Sequence, residues 1–350
     1  MVKAKFTISK SKVLEQYEIV ESLCDIVSYS SKTNPVVTPI LEKNTDTMFS
    51  VHTENELKHI VDKSRVFFIA QAWTSDKIEN LVEQGITWFV VDNEVDLNTF
   101  IDYLKSKNLK GKLNLLLRLK LKEHSIRTEK YYVFGMNSNV IEQWILDIKS
   151  DIKISSKINH LGIHFHRKSQ NMSEWKLQYE LENTFNPDFF EQIDIINIGG
   201  GLPSVYANTN VDVFKGIYNK ISELKVWLNT QNIKMMMEPG RFISAPAGKL
   251  ITEVIGIHEN TIVVNASVYN GDLDALIVPV KLLVEGELKK GEGKNYVIKG
   301  ITPCSMDLFR YRVYLNEVKV GDTLVFINAG AYTFGSDFCD LDPMITEVVD

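Results

Sequence analysis

Short β-rich runs alternate with longer segments of helical periodicity over roughly the first 240 residues of the chain. This alternation is typical of repeated strand–helix–strand units, in which neighbouring strands run parallel. The runs that we interpret as strands lie at residues 27–32, 47–52, 66–70, 87–91, 113–119, 159–164, 193–198 and 233–237. Eight such units predict a (β/α)8 barrel, while an open doubly wound sheet is the alternative with the same periodicity.

Three segments between these strands carry signals for helix boundaries. The Asn34-Pro35 pair is expected to open a helix, because proline is tolerated in the first turn. Residues 54–63 place apolar side chains on one helical face. In the segment 75–85, Ser75 is the expected N-cap and Gly85 the expected stop.

The sequence changes character after about residue 243, where short β-branched runs are separated by turn residues. This pattern predicts an all-β C-terminal domain. We therefore expect two domains, a barrel over residues 8–242 and a β-sandwich or β-barrel domain over 243–350. The early run AKFTIS is expected to join the second domain, which then also includes residues 1–7.

Composition excludes several classes of function. The formal net charge is -6 and there is no basic block, which argues against sequence-independent nucleic-acid binding. Cys24, Cys304 and Cys339 are too scattered for a disulfide framework or a zinc site. Neither a signal peptide nor an apolar run of the ~20 residues that a membrane helix needs is visible. We expect a cytoplasmic protein without metal, nucleic-acid or membrane ligands.

Unusual clusters follow four of the predicted strands. Lys32 ends the first strand, HFHRKSQ (164–170) the sixth, INIGGGLP (196–203) the seventh and MEPGRFI (237–243) the eighth. Each alone has an ordinary explanation, such as a solvated lysine, a satisfied histidine, a glycine turn or a local ion pair. Because barrel active sites form at the C-terminal ends of the strands, their coincidence at one rim predicts an active site there.

In chain order the motifs are KTN, HRKSQ, GGG, EPGR, PCSMD (303–307) and GAY (330–332). Together they resemble the fold-type III pyridoxal-phosphate decarboxylases, the group of ornithine, diaminopimelate and arginine decarboxylases. The resemblance spans about residues 5 to 345. It implies an alanine-racemase-like (β/α)8 barrel with a C-terminal β-domain, pyridoxal 5'-phosphate as cofactor, and decarboxylation of an amino-acid-type substrate.

The resemblance also assigns roles to individual residues. Lys32 matches the Schiff-base lysine, His166 the imidazole that stacks on the cofactor ring, and Glu238 the carboxylate that keeps the pyridine nitrogen protonated. That proton allows the ring to accept electrons. The residues that the resemblance places around the cofactor phosphate are Ser169, Gly200, Gly201, Gly240, Arg241 and Tyr332.

Cys304 matches the family's cysteine that reaches the site from the partner subunit and protonates Cα. The resemblance therefore implies a head-to-tail homodimer with shared active sites, with Cys304 and Tyr332 near the boundary. An ordinary alternative for Cys304 is a small buried apolar residue.

The residues expected to contact the substrate depart from the family pattern. Ser305 stands where ornithine enzymes carry an acid, and Asp307 is displaced along the same element. Val278 in LIVP replaces the arginine of diaminopimelate enzymes. Burying a charged substrate end without a partner is costly, which argues against plain ornithine or diaminopimelate. The acids that could replace the missing partner are Asp272, Asp274, Asp307 and Asp337.

Other functions remain open at this point. A larger, less charged scaffold carrying an amino-acid unit is one alternative substrate, which would make the protein a tailoring enzyme of natural-product biosynthesis. Polyamine, lysine and secondary metabolism all stay open as pathways. A racemase on a similar barrel places arginine at the pyridine nitrogen, and Glu238 argues against it. An inactive relative that regulates the true enzyme typically loses cofactor residues, which are present here.

Overall fold

The computed structural model of the protein describes residues 3–120 and 134–350. The strands are β1 Lys5–Ser9, β2 Ile26–Ser30, β3 Met48–Val51, β4 Val66–Ile69, β5 Trp88–Val91, β6 Leu113–Arg118, β7 Ile158–His164, β8 Ile195–Asn197, β9 Lys234–Met237, β10 Gly248–His258, β11 Thr261–Val264, β12 Leu283–Val284, β13 Lys294–Lys299, β14 Leu308–Leu315, β15 Thr323–Ile327 and β16 Ile345–Val349. The α-helices are α1 Lys10–Leu23, α2 Thr38–Asn44, α3 Ser75–Glu83, α4 Glu94–Ser106, α5 Ser138–Ser150, α6 Ile152–Ser155, α7 Leu177–Thr184, α8 Phe214–Thr230, α9 Arg241–Ala247, α10 Val268–Gly271 and α11 Asp274–Ile277.

Strands β2 to β9 form a closed parallel barrel. The barrel closes where β2 pairs with β9, with Ile26 opposite Met236 and Val27 opposite Met237. The (β/α)8 prediction is thereby confirmed, and the open doubly wound sheet is wrong. All eight strands overlap the runs that the sequence indicated.

Large apolar side chains fill the barrel interior. Phe67, Val90, Leu116, Ile195 and Met236 are fully buried in one cluster there. Parallel strands buried on both faces are nearly continuous apolar runs, which explains why VFFI and WFVV identify strands so clearly. A second, larger cluster lies between the strands and the surrounding helices. The interior is a packed core, so ligands have access only at the ends of the strands.

The C-terminal strands form a separate sheet in the order β12-β15-β10-β11-β13-β14. Strand β1 pairs antiparallel with β10 and parallel with β16, so both ends of the chain join this sheet. The sheet has its own buried apolar cluster. The expected C-terminal β-domain is confirmed, and the N-terminal run joins it as expected.

Several local expectations were wrong. Residues Glu54–His59 form a 3-10 helix, which begins with a capping box between Thr53 and Glu56 and ends at Ile60. The cap of α3 is Thr74, whose hydroxyl accepts from the Lys77 amide, and not Ser75. The helix expected from Asn34-Pro35 begins at Thr38.

One C-terminal segment also differs from its prediction. The β-branched run ALIVPVKLLVEGEL (275–288), one of those expected to be strands, begins within a helical turn, α11, and contributes only the two residues of β12 to the sheet. Helix α9 crosses residue 242, where the sequence places the domain boundary, and that boundary stays a prediction.

The end of the C-terminal sheet packs closely against helix α9 at two glycines. Gly248 begins β10, and an added Cβ there would collide with the backbone of Gly330. A Cβ on Gly330 would in turn collide with the carbonyl oxygen of Ser244. The segment after β15 therefore packs backbone to backbone against the start of β10 and helix α9. Across the ranges described, no helix has the length and apolar character needed to span a bilayer.

Candidate active site

A cavity of about 630 Å³ lies at the C-terminal ends of the barrel strands. The sequence-predicted cofactor residues that line it are Lys32, His166, Ser169, Gly200, Gly201, Glu238, Gly240, Arg241 and Tyr332. These residues come from separate strand ends and from the C-terminal segment. The structure thus places in one cavity every residue that the resemblance assigned to the cofactor.

Lys32 lies in a 3-10 turn directly after β2, and the segment 330–332 holds that turn. The Tyr332 amide donates to the Thr33 carbonyl at 2.8 Å, and Asn34 Nδ2 donates to the Gly330 carbonyl at 2.8 Å. Burial lowers the pKa of the Lys32 amine, while Glu238 and Glu56 raise it. The net decrease favours the neutral amine, the form that attacks an aldehyde.

Glu238 is a buried carboxylate at the end of β9. Asn197 Nδ2 donates to its Oε1 at 2.6 Å, and His164 Nε2 lies 3.2 Å from the same oxygen. Burial alone would raise the pKa of Glu238, but His164 outweighs it and the pKa is lowered to about 2. Glu238 is therefore ionised at neutral pH and can stabilise a proton on a pyridine nitrogen.

His166 is uncharged in this environment. Burial, and then the Lys32 charge, lower its pKa to about 3. Its Nδ1 accepts a hydrogen bond from the Gly200 amide at 3.2 Å. That bond makes Nδ1 the acceptor and leaves the hydrogen on Nε2. A neutral ring held in this way is suited to packing on a heteroaromatic face.

The glycine-rich loops form a cradle that larger residues would fill. Gly201 has φ +104°, and an added Cβ would lie 2.9 Å from the Lys168 carbonyl oxygen. A Cβ on Gly240 would collide with Thr33 Oγ1. That hydroxyl is buried and has no hydrogen-bond partner among the described residues, so it is available to a ligand. The cradle therefore fits a phosphate, and the residues present fit pyridoxal phosphate.

Arg241 is the cation of this cradle. Its Nε donates to Ser169 Oγ at 3.0 Å, and the Tyr332 ring centroid lies 4.7 Å from its Cζ. The outer nitrogens form a buried bidentate ion pair with Asp274, and Nη1 also donates to the Tyr206 hydroxyl at 2.9 Å. Asp274, one of the proposed replacement acids, is therefore paired with Arg241 inside the protein.

The sequence analysis missed several residues of the cavity. Arg118 Nη1 lies 3.3 Å from Asp92 Oδ1, and its guanidinium packs over the Phe134 ring. His52 also lines the cavity, where burial and Lys32 lower its pKa to about 3. Arg118 ends β6 and His52 follows β3. Their position after buried strands was the signal that could have identified them.

The residues that we connected with the substrate lie elsewhere in the chain. Cys304, Ser305 and Asp307 belong to the turn before β14 and do not line this cavity in the described chain. Val278 lines a second cavity of about 470 Å³, which shares Ser169 with the first. The candidate acid Asp337 is exposed on the surface.

Asp307 does not have the surroundings expected of a substrate anchor. Its side chain is fully buried. The carboxylate accepts hydrogen bonds from the Ser267 hydroxyl and the Val268 amide, at 2.9 Å each, and from Thr302. These bonds use both carboxylate oxygens inside the protein and argue against a substrate contact, but the role of Asp307 toward the substrate stays a prediction.

Comparisons with known proteins agree with this geometry. The family described as pyridoxal-dependent decarboxylase, pyridoxal binding domain, matches residues 11–245. A diaminopimelate decarboxylase from Campylobacter jejuni is 23% identical, over 94% of this chain and 85% of that protein. An ornithine decarboxylase from Schizosaccharomyces pombe is 25% identical, over 89% of this chain and 74% of its own length.

Solved structures show the same fold. Diaminopimelate decarboxylase from Helicobacter pylori, crystallised in complex with L-lysine, superposes with a TM-score of 0.81 at 18% identity. The alignment covers 100% of this chain and 92% of that one.

Proposed function

We propose that this chain, which belongs to the pyridoxal-dependent decarboxylase family, removes the α-carboxylate of an amino acid or of an amino-acid unit on a larger molecule. Family membership confirms the resemblance that the motifs indicated and establishes pyridoxal phosphate as the cofactor. The observation that carries the proposal is the convergence of Lys32, His166 and Glu238 in one cavity.

Each of these side chains has a distinct task. When bound, pyridoxal phosphate supplies an electron sink for the pair left at Cα as the carboxylate departs. Lys32 would hold the aldehyde carbon, and Glu238 would keep the proton on the pyridine nitrogen. His166 would cover one ring face. The cradle of Gly201, Gly240 and the groups around them would hold the phosphate.

Cys304 is proposed as the acid that delivers a proton to Cα. Because Cys304 does not line its own chain's cavity, a second copy would supply it, in a homodimer with shared active sites. The chemistry requires one group on the face where the carboxylate leaves, and a thiol with lowered pKa suits that task. Tyr269 and backbone amides near Cys304 lower the pKa of the thiol.

The substrate is proposed to be neither plain ornithine nor plain diaminopimelate. Val278 and Ser305 are uncharged where the related enzymes carry charged anchors, and Asp307 is buried in hydrogen bonds of its own. A buried charged end without a partner is strongly disfavoured. The same residues therefore favour a substrate whose distal end is uncharged.

A tailoring decarboxylase acting on a conjugated amino acid is the second candidate. The cavity beside Ser169 favours it, since apolar and amide side chains such as Met172, Val213 and Asn208 surround Val278 there. This space can accept a bulky neutral group. We place the enzyme in the cytoplasm, where its three free cysteines stay reduced.

The test is release of carbon dioxide from a substrate panel by the cofactor-loaded protein. The panel contains ornithine, lysine, arginine, diaminopimelate and carboxynorspermidine, with the Lys32→Ala protein as control. Release from lysine, arginine or carboxynorspermidine supports the decarboxylase activity and contradicts an uncharged distal end. Efficient release from ornithine or diaminopimelate contradicts the substrate proposal. Silence across the panel from loaded protein supports a conjugated substrate.

A racemase and an inactive regulator predict different results. A racemase would invert alanine or serine without releasing carbon dioxide, and chiral analysis of the recovered amino acid detects it. An inactive relative would be purified without the yellow cofactor. The ionised Glu238 beside His164 favours neither, because it suits a strong electron sink.

A further inference from the structure

The turn that carries Cys304 is tied to a second segment by one buried carboxylate. Asp307 Oδ2 accepts from the Ser267 hydroxyl at 2.9 Å and from the Thr302 hydroxyl and amide at 2.7 and 3.0 Å. Its Oδ1 accepts from the Val268 amide at 2.9 Å. Ser267 and Val268 begin helix α10. Asp307 therefore holds the Cys304 turn and α10 in a fixed relation.

We call the hydrogen bonds of the Asp307 carboxylate to Ser267, Val268 and Thr302 the Asp307 clamp, and backbone hydrogen bonds reinforce it. The Gly300 amide donates to the Asp307 carbonyl at 3.0 Å, and the Asp307 amide donates to the Cys304 carbonyl at 3.1 Å. An added Cβ on Gly300 would collide with the Asp307 carboxylate. Only glycine at position 300 leaves room for the Asp307 carboxylate, so the clamp requires both Gly300 and Asp307.

The clamp brings a phenol to the thiol. Tyr269, in α10, has its hydroxyl 3.0 Å from Cys304 Sγ. Its ring packs on Phe338, with 4.2 Å between ring centroids and 33° between the ring planes. The Tyr269 amide donates to Ser267 Oγ, and the same Ser267 hydroxyl donates to the Asp307 carboxylate. The tyrosine is therefore fixed at its backbone, its ring and its hydroxyl.

We propose that Tyr269 is a positioning residue for Cys304, whose hydroxyl holds the thiol sulfur in place and stabilises the thiolate left after proton donation. The proposal rests on the proposed function, because it assigns Tyr269 to the acid of that reaction. This role gives a reason for the burial of the Asp307 carboxylate, which holds the Cys304 turn and helix α10 together instead of facing a substrate.

The charges around the sulfur agree with this role. The hydrogen bond from Tyr269 is the largest influence and, with the Met306 amide, lowers the pKa of Cys304. Burial and the Asp307 charge oppose it and raise that pKa, while the Asp307 amide lowers it. The same hydrogen bond raises the pKa of Tyr269 to about 12, to which Asp307 and Cys339 contribute. The phenol is therefore protonated throughout the range in which the thiol ionises.

The proton balance is simple. The Cys304 S–H bond breaks as the Cα–H bond forms, and the electron pair of the S–H bond stays on sulfur. The Tyr269 O–H then donates to this thiolate without losing its proton. A proton from water restores the thiol. The tyrosine is never consumed, so its removal should weaken the acid without abolishing it.

The experiment compares the wild-type holoenzyme with the Tyr269→Phe holoenzyme. Phenylalanine retains the ring that packs on Phe338 and removes only the hydroxyl. Alkylation of Cys304 by iodoacetamide is followed by mass spectrometry from about pH 6 to pH 10, because only the thiolate reacts. The Cys339 peptide reports reagent activity in the same samples, and Tyr311→Phe, an exposed tyrosine, is the matched control.

We expect the alkylation midpoint of Cys304 to rise by about one pH unit in Tyr269→Phe and to stay unchanged in Tyr311→Phe. The alkaline limb of kcat should move upward with it, and the plateau should fall about three- to tenfold at constant KM. An unchanged midpoint overturns the proposal.

A Cys304→Ala enzyme separates the two levels of inference. If it has wild-type rate and product, the proposed acid is wrong and the role of Tyr269 is overturned with it. If Cys304→Ala is impaired but Tyr269→Phe keeps the wild-type midpoint and kcat, only the role of Tyr269 is wrong.

Discussion

Burial acts in opposite directions on the two charged residues at the centre of the cavity. It lowers the pKa of Lys32 and would raise that of Glu238, where the neighbouring histidines, His164 above all, reverse the effect and lower it to about 2. At neutral pH the site therefore holds an ionised carboxylate and a lysine with more neutral amine than an exposed one. Each form is the one that the proposed chemistry needs.

Replacing Lys32 with alanine tests the first of these assignments. Lys32→Ala removes the amine that would hold the aldehyde, so the absorbance of the attached cofactor should vanish. Carbon dioxide release should fall by about 10³-fold or more, as expected for loss of a covalent catalytic group. The exposed Lys43→Ala serves as control. Full activity in Lys32→Ala would refute the site assignment.

The raised pKa of Asp272 predicts that the stability of the fold depends on pH. It is buried, and burial and the neighbouring Asp274 raise its pKa well above the ordinary 3.8. The unfolded chain ionises above that value while the folded protein keeps the proton, so stability falls as the pH rises, by about 1.4 kcal/mol per pH unit, until the raised pKa is reached.

Asp272→Asn should remove this loss. We expect its melting temperature to exceed that of the wild type by more at pH 7 than at pH 4.5, as measured by calorimetry. The exposed Asp337→Asn should show no such difference. A gain that is equal at the two pH values would mean that Asp272 is ionised in the folded protein.

At the scale of elements, the strands were predictable and several turns were not. A buried parallel strand such as VFFI is a continuous apolar run, so composition alone identifies it. The Glu54–His59 segment was mistaken for an α-helix and is a 3-10 helix, at whose start the Glu56 side chain accepts from the Thr53 amide. Side-chain contacts of this local kind produce no periodic pattern in the sequence, so a sequence does not reveal them.

The same distinction applies to the site. Lys32 and Glu238 were predictable because they follow strands, whose ends converge in any barrel. The burial of Asp307 was not, because its partners Ser267 and Thr302 are set by the folding of the sheet. Arg118 was overlooked, although it also ends a strand.

The close contact between Gly330, after β15, and Gly248, at the start of β10, yields a prediction about this junction. Gly330→Ala should push the 330–332 segment away from Ser244 and from the Lys32 turn. Overpacking of this kind costs about 1–3 kcal/mol. Denaturant unfolding should show that loss, and titration should show weaker cofactor binding.

Gly216→Ala is the matched control for this junction. Gly216 lies in helix α8, and an added Cβ there meets no atom within 4 Å. Alanine should therefore be neutral or stabilising at that position. If Gly330→Ala unfolds and binds the cofactor like the wild type, the junction does not support the lysine turn.

At the scale of the whole molecule, the barrel and the sheet both contribute to the site. Tyr332 and Asp274, from beyond the barrel, reach Arg241 of the same chain. Cys304 does not line the cavity of its own chain, which is why we propose that a partner supplies it. A complete site would then contain side chains from two copies.

Mixing two inactive variants tests shared sites. In a mixed dimer of Lys32→Ala and Cys304→Ala, one site carries both substitutions and the other carries neither. Random exchange makes half of the dimers mixed, so the mixture should regain about one quarter of the wild-type activity. Size-exclusion chromatography of the mixture confirms that dimers are present. No recovery after demonstrated exchange would show that each chain uses its own Cys304.

The hydrogen bonds from Asn34 to Gly330 and from Tyr332 to Thr33 have a consequence for biosynthesis. Residues that complete the lysine turn are translated about 300 codons after it, which takes on the order of tens of seconds at ribosomal rates of about 5–20 residues per second. While the chain is still on the ribosome, the turn that carries Lys32 therefore lacks its hydrogen bonds to Gly330 and Tyr332. We expect cofactor capture to follow release of the finished polypeptide, so that vitamin B6 supply acts on completed chains.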